Sequence, residues 1–170
     1  MIDWQVVVKK HSPAVWQIAY RLLGNEADAA DCFQETFVCA LEVSRCQRVR
    51  NFSALLARLA TARAIDRLRQ RFRQSQVCTD TMDVTELPST NPGPAQQLHE
   101  QELADKLRKA LALLPQQEAE VFCLRYFNNM SYLQIAKELG IKSNTAGVLL
   151  HRARAKLGEL LEKVIIKDEK

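Results

Sequence analysis

The stretch that decides the fold is Ser131–Leu157, SYLQIAKELGIKSNTAGVLLHRARAKL. Its first part spaces apolar residues at the helical period, and Ser131 followed by Gln134 has the spacing of a capping box at a helix start. Gly140 stands where that helix must end, because glycine tolerates the left-handed backbone of a helix C-cap. The second part resumes helical spacing. The pattern predicts a helix-turn-helix, which can lay its second helix in a DNA major groove.

The end of this stretch is basic. Arg152, Arg154 and Lys156 place positive charge on the later turns of the second helix. Cationic side chains beside a groove-binding helix commonly contact phosphates. An ordinary helical hairpin with a solvated basic face is the alternative. The capping and the spacing together favour nucleic-acid binding, although the motif by itself names no target.

The composition of the whole chain fits an all-helical fold. Its 170 residues are 47% hydrophobic and include only five glycines and 6% aromatic residues, and helix-favouring residue types are abundant. The charge is uneven: residues 1–75 carry 12 basic and 7 acidic side chains, whereas residues 76–98 carry only 3 acidic ones. A basic first half fits a polyanionic partner, although a solvated helix face has the same composition.

Residues 75–97, SQVCTDTMDVTELPSTNPGPAQQ, keep neither helical nor strand periodicity. Three prolines deny this stretch regular backbone hydrogen bonding, and its charge is acidic. An ordered loop of this length inside one compact domain is unusual. The chain therefore divides into a first helical domain at 1–75, a flexible linker at 76–97 and a second helical domain at 98–170.

Capping residues and apolar spacing set the expected helix limits. Gly24 ends the first helix and Ser53 caps the third, while a later helix begins near Ala95. In the first half the expected helices are residues 3–10, continuing or kinking past Pro13 to residue 23, then 26–43 and 53–73.

An acidic stripe lies on the second expected helix. Asp28, Asp31, Glu35 and Glu42 recur at helical steps, which places them along one side of the helix. A di-metal carboxylate bundle needs Glu-x-x-His pairs, and the sequence contains none. The stripe is therefore either a solvated face, which the residues alone favour, or a docking surface for a basic partner.

The loop Ser44–Phe52 combines three arginines with an amide and an aromatic ring. That combination suits a phosphate track with a stacking surface for an unpaired base, although a plain exposed loop has similar residues. Arg63 and Arg67 extend the positive charge along the next helix. The loop and that helix form a second candidate nucleic-acid face, separate from the helix-turn-helix.

Several protein classes find no support in the sequence. It lacks a signal-peptide core and any apolar run of bilayer length, so we expect a cytoplasmic protein without membrane insertion. Its five cysteines include no Cys-x-x-Cys pair, and in a reducing cytosol we expect free, mostly buried thiols. No phosphate loop, metal motif or catalytic set is present, so we expect neither a cofactor nor a metal, and no enzyme.

Two segments resemble conserved parts of one family. Residues 19–42, AYRLLGNEADAADCFQETFVCALE, resemble the second conserved domain of bacterial extracytoplasmic-function (ECF) sigma factors of RNA polymerase. Residues 110–157, ALALLPQQEAEVFCLRYFNNMSYLQIAKELGIKSNTAGVLLHRARAKL, resemble their fourth domain. The similarity covers nearly the whole chain apart from the linker. It implies a sigma factor that binds core RNA polymerase and directs transcription initiation at promoters.

By this resemblance, the first domain meets the polymerase and the melted minus-10 promoter element. The residues implied in docking on the clamp helices of the polymerase β′ subunit are Asp28, Asp31, Gln34 and Glu35. The residues implied in contacting the minus-10 element, where a flipped-out base is held, are Arg45, Arg48, Arg50, Asn51, Phe52, Arg63 and Arg67.

By the same resemblance, the second domain binds the minus-35 element as duplex DNA and packs on the flap of the β subunit. The residues implied in minus-35 contacts are Ser143, Asn144, Thr145, Val148, His151, Arg152, Arg154 and Lys156. The resemblance also implies an anti-sigma factor as a further partner.

The chain departs from the family at the recognition helix. Where Thr-Val-Lys-Ser-Arg-Leu is common, residues 145–150 read TAGVLL. Gly147 offers no side-chain contact, and Val148 cannot hydrogen-bond to a base edge, although it can meet a thymine methyl. The third helix also has Leu55-Leu56 in place of the usual Trp-Leu pair, and Ala62 in place of an Asn. The alternative function is therefore a sigma-like adaptor that acts mainly through protein contacts, with weakened minus-35 reading.

Overall fold

The structure is a computed structural model that describes the backbone of residues 2–77 and 95–168 and the side chains of residues 2–77 and 97–163. Within those ranges the chain forms seven α-helices and no strand. They are α1 Trp4–Leu23, α2 Glu26–Cys46, α3 Phe52–Val77, α4 Ala95–Leu113, α5 Gln116–Tyr126, α6 Tyr132–Leu139 and α7 Ser143–Asp168. The expected all-helical fold is confirmed.

Local capping explains where the first helices begin and end. The Asp3 carboxylate accepts hydrogen bonds from the backbone of Gln5 at 3.0 Å and of Val6 at 3.3 Å, which satisfies donors that a helix start leaves free. Gly24 ends α1 in the left-handed region with φ of 73°. α1 is one helix from end to end, with Pro13 inside it.

The third helix begins differently from the expectation. The predicted cap at Ser53 is wrong, because α3 already begins at Phe52 and the Asn51 side chain accepts a hydrogen bond from Ala54 N at 3.1 Å. Asn51 is the better cap because its amide oxygen lies three residues before the amide that it satisfies.

The helices next to the expected linker are longer than expected. α2 runs to Cys46 rather than residue 43, and α3 runs to Val77 rather than residue 73. Helical residues therefore occupy 76–77 and 95–97, both ends of the expected linker 76–97. Residues 78–94, including Cys78, lie outside the described residues.

The helix α3 lies at the centre of the molecule. It packs against α1 and α2 on one side and against α4 and α5 on the other. One apolar cluster joins Leu56 and Ile65 of α3 with Leu111 and Leu114, all at most 1% exposed. The two halves of the chain therefore share a core in this arrangement. Its division into domains at 1–75 and 98–170 stays a prediction.

None of the described helices combines the length and the hydropathy that crossing a bilayer requires.

Candidate nucleic-acid and protein interfaces

The helix-turn-helix consists of α6, the turn through Gly140, and α7. The capping box is confirmed: Gln134 N donates to Ser131 Oγ at 3.2 Å, and Ser131 N donates to Gln134 Oε1 at 2.9 Å. Gly140 has φ of 66° and its N–H donates to the Ala136 carbonyl. These bonds satisfy orphan backbone groups at both ends of α6 and set the angle at which α7 leaves the turn.

A small apolar cluster orients α7. Ala146 and Leu150 of α7 are buried against Ile135 of α6 and Leu124 of α5, and Leu149 packs at the edge of this cluster. Leu149 is therefore a packing residue rather than a lost DNA contact. Gly147 and Val148 lie away from the cluster, and Val148 is 49% exposed.

The recognition surface is open to solvent. The predicted minus-35 residues that are exposed are Asn144, Thr145, Val148, His151, Arg152, Arg154 and Lys156, and Ser143 is half-buried. A shallow groove is lined by Ser143, Asn144, Gly147, Val148, His151, Arg152 and Tyr132. Sequence reasoning missed Tyr132, which comes from α6, because only the turn at Gly140 brings its ring beside the second helix.

Lys156 has a partner inside the fold. Its Nζ lies 2.9 Å from the carboxylate of Glu118, whose side chain is only 6% exposed. Glu118 belongs to α5, so the pair ties α5 to α7. A buried carboxylate needs such a counter-charge. Lys156 is exposed like Arg152, but its ammonium group is held by this ion pair.

The loop between α2 and α3 presents basic residues around a packed aromatic ring. Arg45, Arg48 and Arg50 are exposed. Phe52 is half-buried, and its ring meets Trp4 edge-on with centroids 5.6 Å apart. Asn51 uses its side-chain oxygen to cap α3. The three arginines can therefore follow a phosphate backbone, while Asn51 and Phe52 also hold the start of α3.

Arg67 belongs to the acidic stripe. Its Nη2 donates to Glu35 Oε1 at 2.6 Å, and its Nη1 lies 3.4 Å from Asp31 Oδ2 and 3.8 Å from Asp28 Oδ1. Partial burial lowers the pKa of Arg67, but the hydrogen bond from Arg67 to Glu35 and the charges of Glu35, Asp31 and Asp28 raise it overall. The sequence placed Arg67 on the nucleic-acid face, but in this structure it binds carboxylates.

Asp28 is the most constrained carboxylate of this stripe. It accepts a hydrogen bond from Asn25 Nδ2 at 2.8 Å and lies 3.4 Å from Arg71 Nη1. Asp31, Gln34 and Glu35 are exposed on α2. These carboxylates therefore stay accessible on α2, although Arg67 and Arg71 of α3 pair with three of them. Arg63 is exposed beside Cys39, and their side-chain hydrogen bond raises the pKa of Arg63.

Among the described residues, polar contacts between four pairs of residues join the two halves of the chain. Arg108 donates to the Arg21 carbonyl through Nε at 3.3 Å and Nη2 at 3.0 Å, and Arg69 donates to the Leu114 carbonyl. The other two are an ion pair between Arg58 and Glu138 at 3.8 Å and a hydrogen bond from Asn128 to Thr61 at 3.4 Å.

A cavity of about 290 Å³ lies beside these contacts, between α1, the start of α3 and the turn before α6. His11, Asn51, Asn128 and Gln134 are among its polar lining residues. Burial, helped by the charge of Lys10, lowers the pKa of His11.

The described part of the chain contains four free cysteines, two of them buried. Cys32 and Cys123 are buried free thiols, as expected, but Cys46 is exposed and Cys39 is half-buried. Burial raises the pKa of Cys32 to about 11 and that of Cys123 further, which keeps both protonated and unreactive. Among the side chains that the structure describes, at residues 2–77 and 97–163, no group of His, Cys, Asp or Glu is arranged to hold a metal ion.

Two family models match the chain, one in each half. Residues 7–74 match the model of sigma-70 region 2, and residues 104–157 match the model of sigma-70 region 4. The first match contains the acidic stripe and the basic loop. The second contains the helix-turn-helix.

Individual relatives agree with these matches. The chain is 33% identical over 147 residues to the ECF RNA polymerase sigma factor SigL of Mycobacterium tuberculosis, covering 85% of this chain and 80% of the relative. It is 32% identical over 163 residues to SigE of Mycolicibacterium smegmatis, covering 96% of this chain but only 63% of that relative's length. Among solved structures, the sigma factor RpoE of Bartonella quintana, in complex with the anti-sigma factor NepR, superposes with a TM-score of 0.56 at 23% identity over 94% of this chain and 97% of that one.

Proposed function

The chain belongs to the ECF family of RNA polymerase sigma factors, and we propose that it binds core RNA polymerase and directs it to a set of promoters. The observation that carries this proposal is the presence of both sigma regions in one chain, in order, at residues 7–74 and 104–157. As a member of this family it is a transcription initiation factor rather than an enzyme. It would act in the cytoplasm, where the polymerase and the promoters are.

The first region supplies two surfaces for this function. The residues proposed to dock on the clamp helices of β′ are Asp28 and the exposed Asp31, Gln34 and Glu35. The residues proposed to meet melted minus-10 DNA are Arg45, Arg48, Arg50, Asn51, Phe52 and Arg63. Arg67 would contact the DNA only if its guanidinium left the carboxylates of α2 and bound a phosphate instead.

The second region supplies the proposed minus-35 contacts. Arg152 and His151 are exposed on the outward face of α7, with Asn144 and Thr145 at its start. Arg154 is placed for a phosphate. The region would also meet the β flap. An anti-sigma factor is a further proposed partner, supported by the structurally similar RpoE, which was solved with one.

Reaching both promoter elements requires the two halves to separate. Elements about 25 base pairs apart lie about 85 Å apart along straight B-DNA at about 3.4 Å per base pair. A compact chain of 170 residues has a radius of gyration of about 16 Å, and hence a diameter of about 40 Å. The closed arrangement is too short for both sites, so we infer that the contacts of Arg108, Arg69, Arg58 and Asn128 break when the protein engages polymerase and promoter.

Reconstituted transcription tests this function. The purified chain is mixed with core RNA polymerase and fragmented genomic DNA, and transcript start sites are mapped with and without it. We expect new start sites that share upstream sequence, and co-elution of the chain with core polymerase. Absence of both core binding and factor-dependent starts contradicts the proposal.

The adaptor alternative is favoured by one observation, the apolar character of the outward surface at Gly147 and Val148. Arg152→Ala and Arg50→Ala distinguish the two functions. A promoter-reading factor loses transcription from its mapped promoters with either variant, whereas an adaptor keeps its partner binding and shows no promoter-specific defect.

A further inference from the structure

The glycine in the recognition helix has no structural reason within the described fold. A Cβ placed on Gly147 meets no atom within 4 Å, and its φ lies outside the left-handed region, so neither crowding nor backbone strain requires a glycine there. Inside a helix, glycine is less favourable than alanine, so this residue lowers the stability of the helix. The empty space faces outward, into the groove described above.

Apolar side chains flank this space, and polar ones lie at its ends. Val148 is 49% and Tyr132 is 41% exposed. The Arg125 guanidinium lies 5.2 Å from the centroid of the Tyr132 ring and donates to the Met130 carbonyl at 3.0 Å. The ring is therefore held at the edge of the groove rather than free to rotate away.

The surroundings of the groove are cationic. Arg152 lines the groove, and Lys137, Lys142 and Arg154 are exposed elsewhere on the helix-turn-helix. Glu138, an acidic residue of α6, is paired with Arg58. An apolar notch inside a positively charged surface does not match an acidic peptide, whose carboxylates would gain nothing from Val148. It does match the major groove of a duplex, where phosphates border bases, and the C5-methyl of thymine is the apolar group on a base edge.

We propose that the notch at Gly147 receives the methyl group of a thymine in the minus-35 duplex, with Val148 and Tyr132 as its apolar walls. The missing side chain lets the backbone of α7 approach the base edge, and Arg152 and His151 contact neighbouring base or phosphate groups. The atypical residues of this helix would then specify a thymine rather than weaken reading. This inference rests on the proposed function.

The test begins with selection of the DNA. Holoenzyme made from the chain and core polymerase selects promoters from a library randomised across the minus-35 region. Each enriched thymine is then replaced singly by deoxyuridine, which removes only the methyl group. Burial of one methyl-sized group corresponds to about 0.8 kcal/mol, so we expect about fourfold weaker holoenzyme binding at one enriched position.

Two variants and a matched control identify the surface. Gly147→Ala fills the notch and Val148→Ala removes a wall, so for both we expect thymine and deoxyuridine to bind within about 1.5-fold of each other. Gly158→Ala is the control, because Gly158 also lies in α7 with no atom within 4 Å of a built Cβ. Both glycine variants should raise the urea midpoint of unfolding, and only Gly147→Ala should lose the methyl preference.

The outcomes separate the two proposals. If no holoenzyme forms or none of the library supports initiation, the proposed function and this inference both fall. If initiation occurs but deoxyuridine equals thymine at every enriched position, only the inference falls. If Gly147→Ala and Val148→Ala weaken core binding instead of the methyl preference, the notch is a protein-docking surface and the inference is overturned.

Discussion

The two proposed DNA-binding faces of this protein differ in how far their side chains also hold the fold together. On the first face, Arg67 binds three carboxylates, Asn51 caps α3 and Phe52 packs on Trp4. On the second face, Val148 and Arg152 are exposed beyond a buried stripe of α7. Substitution of Arg67, Asn51 or Phe52 should therefore change stability and binding together, whereas substitution of Val148 or Arg152 should change binding alone.

The difference follows from where each face is built. The first face lies where α2, α3 and the loop between them meet, which brings Arg67 of α3 against the carboxylates of α2. The second lies on one helix whose other side already fills the core through Ala146 and Leu150. A charged side chain on such an outer face has a small effect on stability because water screens its interactions.

The largest effect on stability is expected at Lys156, which belongs to the second face but also pairs with a buried carboxylate of the fold. Lys156→Ala leaves the carboxylate of Glu118 buried without its counter-charge, and losing one partner of a buried pair costs about 3–5 kcal/mol when both are buried. Because Lys156 is 46% exposed, we expect a loss of about 2 kcal/mol in the free energy of unfolding by urea. Arg152→Ala is the comparison and should stay within about 0.5 kcal/mol. Equal stability of the two variants contradicts a stabilising role for the ion pair of Lys156.

Arg152→Ala itself should weaken binding to a mapped promoter. Loss of a base-edge contact costs about 1–3 kcal/mol, and loss of a phosphate contact lowers binding uniformly across sequences. Titration of holoenzyme on matched and scrambled minus-35 duplexes distinguishes these cases. A variant that binds both duplexes like the unmodified protein contradicts a role for Arg152 in DNA binding.

Arg67→Ala tests whether the first face couples stability to function. Its removal leaves Asp28, Asp31 and Glu35 repelling one another, and we expect a loss of about 1 kcal/mol in the free energy of unfolding, since the cluster is partly solvated. Core polymerase binding should change with it, because the same carboxylates form the proposed clamp surface. Arg50→Ala is the matched control: it should leave stability and core binding unchanged and reduce promoter opening, measured by permanganate reactivity of unpaired thymines.

Arg108→Ala tests how the two halves of the chain, each of which carries one face, are held together. It removes both hydrogen bonds to the Arg21 carbonyl, so we expect a larger radius of gyration in small-angle X-ray scattering. The neighbouring exposed Lys109→Ala is the control. An unchanged radius for Arg108→Ala shows that the apolar core alone holds the halves together.

The smallest expected effect is a pH dependence at His11. Its ordinary pKa is 6.5 and its folded pKa is lower, so the unfolded chain binds the proton more readily. The free energy of unfolding should therefore decrease as pH falls below about 6.5 and level off below the folded pKa. Comparison of urea midpoints at pH 8 and pH 5 in the unmodified protein and in His11→Gln isolates this contribution. An identical pH dependence in both proteins excludes His11 as its source.

Much of the fold was predictable because its signals are local. The capping box at Ser131, the left-handed Gly24 and Gly140, and the apolar spacing of the helices each depend on residues a few positions apart. The cap of α3 was mispredicted because Asn51 and Ser53 are both good caps, and only the backbone path of the loop selects between them. The ends of α2 and α3 were also missed, because polar helix termini lack apolar periodicity.

The sequence by itself determined the class of fold, the family and the outward position of the recognition helix, since each follows from spacing along one segment. Only the tertiary structure decided which charges are available. It paired Arg67 with the acidic stripe, Lys156 with Glu118 and Arg108 with the end of α1, in each case across a long separation in the chain. It also brought Tyr132 beside Gly147 and left the notch empty. The physical reason is that a charge or a gap acquires its role from its neighbours in space, and the packing of α3 against both halves determines which neighbours these are.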